Sequence, residues 1–375
     1  MPSINILDYS VRSAQGNLNQ TLDAMQKAEV KISSKNISID GSEIAIPFFT
    51  FKEEVAQNQQ SVKEAIKSLI EGIVGTLDKE KRASTALIVG TSLVDFNLMQ
   101  AVKESIEQKS QDSFISQKNS IDSFAKELAD EFGLNEYTMT ISTACTSSAN
   151  ALLEASNLIN SSVVDYAIVV GLEIFSPIMS SGFYSMSLLS QSSPQPFDVK
   201  RDGIVLGEAI SAILLGRDTS KWSLLGGYSN CNSATITSVS QSGEECVEVM
   251  QKALEYTHLD AKDITALKAH GTGSDSNDLA EINAISKVFD NSLIFTALKP
   301  YVGHTIGASG ILEISLFMGA IERGFIPKTL SCSESILSEY KPLNEHKKCD
   351  SGIFMCNYFG FGGNNISLLI KRDAS

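Results

Sequence analysis

Only four histidines, one tryptophan and eight prolines occur among 375 residues, and only 20% of the chain is charged. The six cysteines (Cys145, Cys231, Cys246, Cys332, Cys349, Cys356) include no C-x-x-C pair, and the histidines (His258, His270, His304, His346) form no H-x-x-x-H or H-x-H pair. These absences exclude the usual zinc-site spacings, so no metal is expected. They also argue against a disulfide scaffold, which a chain of this length does not need, and a reducing cytoplasm fits. The N-terminus, MPSINILDYSVRSAQGN, lacks the basic and apolar regions of a signal peptide. The most apolar runs, YAIVVGL (166–172) and AISAILLG (209–216), are far too short to span a membrane. With 44 acidic against 30 basic residues the net charge is -14, which disfavours nucleic acid and anionic membranes as partners. Any acidic partner has to be met by a local basic patch. The expectation is a cytoplasmic protein, 43% hydrophobic, with a large buried core.

What is present is an alternation of short apolar strands and amphipathic helices. Ser3 to Leu7 reads as a first strand, and residues 30–52 as short strands or a loop. Val62, Ala65, Ile66, Leu69, Ile70, Ile73, Val74 and Leu77 repeat at helical spacing, which predicts a helix over Gln57–Leu77. Ala86-Leu-Ile-Val-Gly-Thr reads as a central parallel strand, residues 109–120 as a loop, and Ile121 to Phe132 as a helix closed by Gly133. Around Lys221 the pattern begins again. The first half runs strand, TACTSSA, helix (138–159), then YAIVVG and AISAILLG. The second runs strand, KPYVGHTIGASG, helix (293–321), then GIFMCNYFG and NISLLI, and ALIVGTS parallels ALKAHGTG. Two duplicated α/β halves, 1–220 and 221–375, are therefore expected.

Chemistry-bearing residues cluster just after strand ends, where ligands bind in parallel sheets. Cys145 lies between a β-branched strand (138–143) and a helix, in the small-residue run Ala144-Cys-Thr-Ser-Ser148. A helix N-terminus there is expected to stabilise the thiolate, and small neighbours to admit a substrate carbonyl. A free cysteine is most often an inert buried residue, so the argument rests on its companions. His270 follows one strand in HGTG, and Lys299 and His304 follow another in KPYVGH. Gly360-Phe-Gly-Gly-Asn364 follows a third. His258 and His346 lie in polar stretches and read as surface residues. One thiol with two imidazoles suits carbon–carbon bond formation between thioesters. The thiol takes an acyl group. Two imidazole N–H groups stabilise the enolate left when a malonyl-type thioester loses carbon dioxide, and a glycine turn brings up a backbone N–H for the acyl oxyanion.

Taken in order, TACTSS, HGTG, KPYVGHTIGASG and NYFGFGGNN, with PFDVKRDG (196–203) and LGE (206–208), resemble the β-ketoacyl-acyl carrier protein synthases of the thiolase superfamily. The resemblance runs from about Ala86 to the C-terminus. It implies an α/β/α/β/α layered fold and a homodimer, or a heterodimer with a chain-length-factor-like homologue. It implies that Cys145 is acylated, that His270 and His304 hold the enolate oxygen, that Lys299 is the active-site lysine and that Glu313 orders it. Phe361 matches an aromatic gate, and backbone N–H groups of Cys145 and Phe361, in the turn that contains Gly362, would form the oxyanion hole. Thr272 and Ser274 match contacts to the phosphopantetheine arm, which arrives on the acyl carrier protein, so no resident cofactor is expected. Lys200 and Arg201 match carrier-protein contacts, although Arg201 suits a structural ion pair equally. Phe183, Tyr184 and Met186 lie where relatives line the dimer-facing end of the acyl tunnel. GTGSDSND departs from the family by lacking a proline and a second glycine, and Pro300 replaces a small polar residue. The implied reaction is decarboxylative condensation in fatty acid, polyketide or aryl polyene elongation. Two alternatives remain: a chain-length-factor-like subunit that does not elongate, and a cysteine hydrolase using one histidine with Asn364.

Overall fold

The computed structural model describes residues 4–56, 58–93, 123–231 and 240–374. The expected loop at 109–120 and Ile121 lie outside the described residues. The first half supplies strands β1 (Ile4–Ser13), β2 (Gly16–Asn17), β3 (Ser33–Ile39), β4 (Ser42–Phe49), β5 (Thr85–Thr91), β6 (Thr138–Ile141), β7 (Tyr166–Glu173), β8 (Leu206–Gly207) and β9 (Ala209–Gly216). The second supplies β10 (Trp222–Cys231), β11 (Ala266–Ala269), β12 (Phe295–Ala297), β13 (Phe325–Ile326), β14 (Lys347–Lys348), β15 (Gly352–Phe359) and β16 (Asn364–Arg372). Residues 30–52 resolve into a hairpin, β3–β4, whose second strand pairs in parallel with β8.

The main sheet runs β12-β11-β15-β16-β10-β1-β9-β7-β5-β6. It reads identically outward from its centre. In each direction an opening strand (β1 or β10) lies antiparallel to the last strand of its half (β9 or β16), and that strand is antiparallel to β7 or β15. Parallel strands β5 and β6, or β11 and β12, then complete the wing. The sequence duplication is thus a duplication of topology, joined by β1–β10 pairing.

Strand periodicity builds the layers. Ala86, Ile88, Ala167, Val169, Ile213 and Leu215 point into the central core, and Leu87, Val89, Ile168, Val170, Ile210 and Leu214 into an outer one. That split follows from a side-chain period of two on strands buried on both faces. The outer core is closed by helices Gln59–Gly75 and Ser123–Phe132, and its counterpart in the second half by Glu244–Thr257 and Asp275–Val288. Between the wings lie helices Ser147–Asn160 and Ser309–Glu322. Ser309–Ile321 is buried at every position, so the helix is apolar all round except for the polar groups it carries to the site. The α/β/α/β/α arrangement is the expected one. Among the described residues no helix is long and apolar enough to cross a membrane.

The small residues that follow Cys145 also have a packing role. A Cβ on Gly90 of β5 would lie 2.3 Å from the Ser148 Cα, and one on Gly310 would lie 2.3 Å from the Ala149 nitrogen. Strand and helices therefore meet at backbone distance, and a larger residue at either position would force them apart. The halves are also tied by Glu173, at the end of β7. Its Oε2 accepts from the Ser92 hydroxyl at 2.6 Å and the Gly307 N–H at 2.9 Å, while its buried Oε1 has no hydrogen-bond partner among the described residues. Burial pushes this carboxyl up from 4.5 to about 7, with Ser92 and Gly307 pulling the other way. A raised pKa means that the contribution to stability is complete below the unfolded value and is lost as pH rises through about 7. From pH 5 to pH 8 the melting temperature of the wild type should therefore fall more than that of Glu173→Gln. Calorimetry across this range checks it, and parallel curves would refute the assignment.

Candidate active site

Cys145 sits in a turn built to present it. Ala144 takes φ of 53°, a left-handed conformation that costs a non-glycine residue roughly 1–2 kcal/mol. The Ser147 hydroxyl, donating to the Ala144 carbonyl at 2.6 Å and accepting from the Thr143 N–H at 2.9 Å, locks the bend before helix 147–160 starts. The sulfur is buried, and it meets the N–H groups of Phe361 and of Cys145 itself. The stabilised thiolate expected from the helix terminus is not what the burial gives. Desolvation dominates and pushes the thiol up to about 11, against the Phe361 N–H and the Lys299 charge, so the resting form at neutral pH is the thiol.

The turn after β15 brings Phe361 there. Gly362 and Gly363 adopt φ of 88° and 81°, which glycine alone takes without strain. The Gly360 N–H donates to the Asn364 carbonyl at 2.8 Å. The Asn364 side-chain oxygen accepts from Thr146 Oγ1 at 2.6 Å and Asn150 Nδ2 at 2.7 Å, fastening the turn to the segment and helix that follow Cys145. Asn364 is therefore committed to holding the turn, not to orienting a histidine. The Phe361 ring packs edge-on against Phe183 with centroids 5.7 Å apart, in one apolar cluster with Cys145, Ile204, Leu206 and Ile306. Tyr184 borders that cluster, whereas Met186 is exposed. Gly362 is exposed at the tip of the turn.

Both histidines are buried, with rings 5.4 Å apart and nearly perpendicular. The His270 and Gly271 N–H groups donate to the Glu281 carboxylate oxygens at 2.7 and 2.8 Å, which fixes the backbone as β11 ends. Lys299 Nζ lies 3.2 Å from His270 Nδ1, 2.7 Å from the His270 carbonyl and 2.7 Å from Glu313 Oε1. For His304, Nδ1 accepts from the Ile306 N–H at 3.2 Å and lies 3.3 Å from the Ser309 hydroxyl. An ammonium and a peptide N–H can only donate, so each Nδ1 is an acceptor and each neutral ring carries its proton on Nε2. Both Nε2 atoms are buried without a partner among the described residues. Burial first and the Lys299 charge second hold His270 and His304 well below the ordinary imidazole value, so both rings are neutral at pH 7. Lys299 is also within electrostatic reach of Cys145, which links the thiol to the histidine pair. The other two histidines have structural positions. His258 ends helix 244–257 at φ of 56°, and His346 accepts the Lys328 N–H and packs on Phe325.

Thr272 and Ser274 lie buried after His270, their hydroxyls 2.9 Å apart. Asp278 accepts N–H groups from Thr272 at 2.9 Å and Phe197 at 2.8 Å, and so orders the loop that lacks the family's proline. Lys200 is exposed close by. The Arg201 side chain is only 6% exposed and is engaged by Asp275 and by the Asp198 carbonyl, as a structural ion pair requires. Sequence reading missed Glu281 and Lys268. A lysine inside the fully buried strand Ala266–Ala269 was the available signal for Lys268, whereas Glu281 gave none beyond its place near Asp278.

Known proteins match over most of the chain. Residues 22–221 match the beta-ketoacyl synthase, N-terminal domain, and residues 223–333 the beta-ketoacyl synthase, C-terminal domain. The likeness thus begins well before Ala86. A putative mitochondrial 3-oxoacyl-[acyl-carrier-protein] synthase of Schizosaccharomyces pombe is 26% identical over 86% of this chain and 82% of its own length. The 3-oxoacyl-[acyl-carrier-protein] synthase 2 of Rhizobium meliloti is 30% identical over 62% of this chain, which spans 60% of that relative. Among solved structures, the ketosynthase ApeO of Xenorhabdus doucetiae, in complex with its chain length factor ApeC, superposes with a TM-score of 0.86 at 25% identity over 99% of this chain and 98% of its own. With both domains matched in sequence and the same fold recovered end to end, the chain belongs to the beta-ketoacyl synthase family.

Proposed function

We propose that this chain is a condensing subunit that joins an acyl group on Cys145 to a malonyl unit carried by an acyl carrier protein. The observation that carries the reading is the pair of neutral imidazoles, each with its Nε2–H buried and unpartnered, beside a buried thiol. A hydrolase needs one base and an orienting group. Two fixed donors suit a negatively charged oxygen, which the enolate of a decarboxylating thioester supplies.

The steps balance as follows. The Cys145 sulfur attacks the incoming thioester carbonyl, whose oxyanion meets the N–H groups of Cys145 and Phe361. The pantetheine thiol leaves with the proton that Cys145 loses. A malonyl thioester then enters past Thr272 and Ser274, and its thioester oxygen accepts from His270 and His304. Carbon dioxide departs, the electron pair passes to the enolate, and its carbon attacks the Cys145 thioester. Collapse of the tetrahedral oxyanion expels the Cys145 thiolate, which takes up one proton, as a thiol that prefers protonation to about 11 must. Exposed Lys200 offers the carrier protein a cation near this entrance. The complete Cys145, His270, His304 set favours catalysis over a chain-length-factor-like role. The ApeO relative, solved with its chain length factor, supports a partner subunit of that kind.

Cys145→Ala should form no acyl-enzyme by intact mass and no β-ketoacyl product. A lengthened product from that variant would refute the mechanism, and free acid from the wild type would favour the hydrolase. His304→Ala and His270→Ala should each lose about 100- to 1,000-fold in decarboxylation of a malonyl thioester, with acylation of Cys145 retained. Because both imidazole pKa values are lowered, the active neutral forms persist as pH falls. The decarboxylation rate of the wild type should therefore stay level from pH 8 through 6.5, and a half-loss near 6.5 would contradict the site geometry.

A further inference from the structure

Lys268 is a fully buried cation that the steps above do not use. It lies on β11, two residues before His270. Its Nζ is 2.6 Å from Glu313 Oε2, 2.9 Å from the Asn357 carbonyl and 3.6 Å from the centre of the Tyr358 ring. Glu313 is thus held by one ammonium on each oxygen, Lys268 on Oε2 and Lys299 on Oε1. We propose that Lys268 is a positioning residue for the condensing reaction: by fixing the Glu313 carboxylate it aims the Lys299 ammonium at His270. The inference rests on the reading that this chain condenses thioesters.

An ammonium has three hydrogens. Those of Lys299 have three acceptors in reach: Glu313 Oε1, the His270 carbonyl and His270 Nδ1. The last is a donation to neutral imidazole nitrogen and is the weakest of the three, since the others go to a carboxylate and a peptide oxygen. It survives only while the carboxylate takes a single hydrogen from Lys299. With Lys268 absent, Glu313 Oε2 would be a buried carboxylate oxygen without a donor, which costs more than an ordinary lost hydrogen bond. Rotation of the carboxylate towards Lys299 would relieve it by drawing a second hydrogen from that ammonium. His270 Nδ1 would then lose its donor, the ring would be free to carry its proton on Nδ1, and Nε2 would no longer donate to the enolate. The Lys268 charge also faces both imidazoles and adds to what keeps them neutral. The N–H groups of Cys145 and Phe361 that serve Cys145 acylation take no part in these steps, and the Lys299 charge that faces the thiol is retained.

The test uses the full-length protein, its Lys268→Met and Lys268→Gln variants, and acyl- and malonyl-pantetheine thioesters as probes. Cys145 acylation, read by intact mass, should stay within about threefold of the wild type. Decarboxylation of malonyl-pantetheine should lose about tenfold or more in kcat with KM within about threefold, the split expected of an interaction made in the transition state. An unchanged kcat would overturn the proposal. So would parallel losses in both half-reactions that track the folded fraction in thermal melts, or failure of both variants to fold, since either assigns Lys268 to stability alone. A wild type that neither acylates nor decarboxylates would overturn the functional reading, and this proposal with it.

Discussion

The site depends on a buried row of charges in which Glu313 stands between the ammonium groups of Lys268 and Lys299. Burying ions is costly unless each is paired and its remaining hydrogens are used. Here the spare hydrogens of Lys299 go to the His270 carbonyl and Nδ1, so the satisfaction of a buried cation also sets the direction of an imidazole proton. The same residues thereby solve a folding problem and a chemical one. Removing Glu313 would leave two buried cations without their counterion, and removing either lysine would leave one Glu313 oxygen without its donor, so these positions cannot be changed singly without consequence.

The fold explains how three charges reach that depth. Glu313 is carried by a helix buried on all sides, which is possible because two sheet wings enclose it. Duplication made the two central helices equivalent in position, and each is entered through a short 3-10 turn whose first residue has positive φ. Ala144 has φ of 53° in one and Ile306 has φ of 38° in the other. The halves then diverged at the next residue. One carries Cys145, whereas the other carries Gly307, whose N–H donates to Glu173. Cys145 lies in the first half, and His270, Lys299 and His304 lie in the second. The contacts of Asn364 with Thr146 and Asn150 bind the two halves together beside the site.

Much of this was legible in the chain because it follows from local pattern. Doubly buried strands such as YAIVVGLE show as continuous apolar runs, and the helix of 59–75 as helical spacing. Cys145, His270 and His304 stood out because each follows a strand within small or glycine-rich residues. The opening strand of the second half was not legible: WSLLGGYSNC contains Gly226 and Gly227, and Gly227 is required by the close approach of Ser367 rather than by any local rule. Helix Leu18–Lys27 was missed although Asn17 and Gln20 form a capping box at its start. The thiol was misjudged for a physical reason. A helix terminus is visible in sequence, whereas the desolvation that outweighs it is a property of the folded core. Lys268 and Glu281 belong with it, since their partners lie 45 residues away in one case and on a backbone in the other.

The central claim is that His270 and His304 are both neutral, with the proton on Nε2 and an acceptor at Nδ1. Nitrogen-15 NMR of the two imidazoles in the resting protein at pH 7 reads this directly, with the His270→Gln and His304→Gln variants assigning the signals. The account predicts for each ring a protonated Nε2 and an unprotonated Nδ1. A ring protonated at Nδ1, or at both nitrogens, would contradict it.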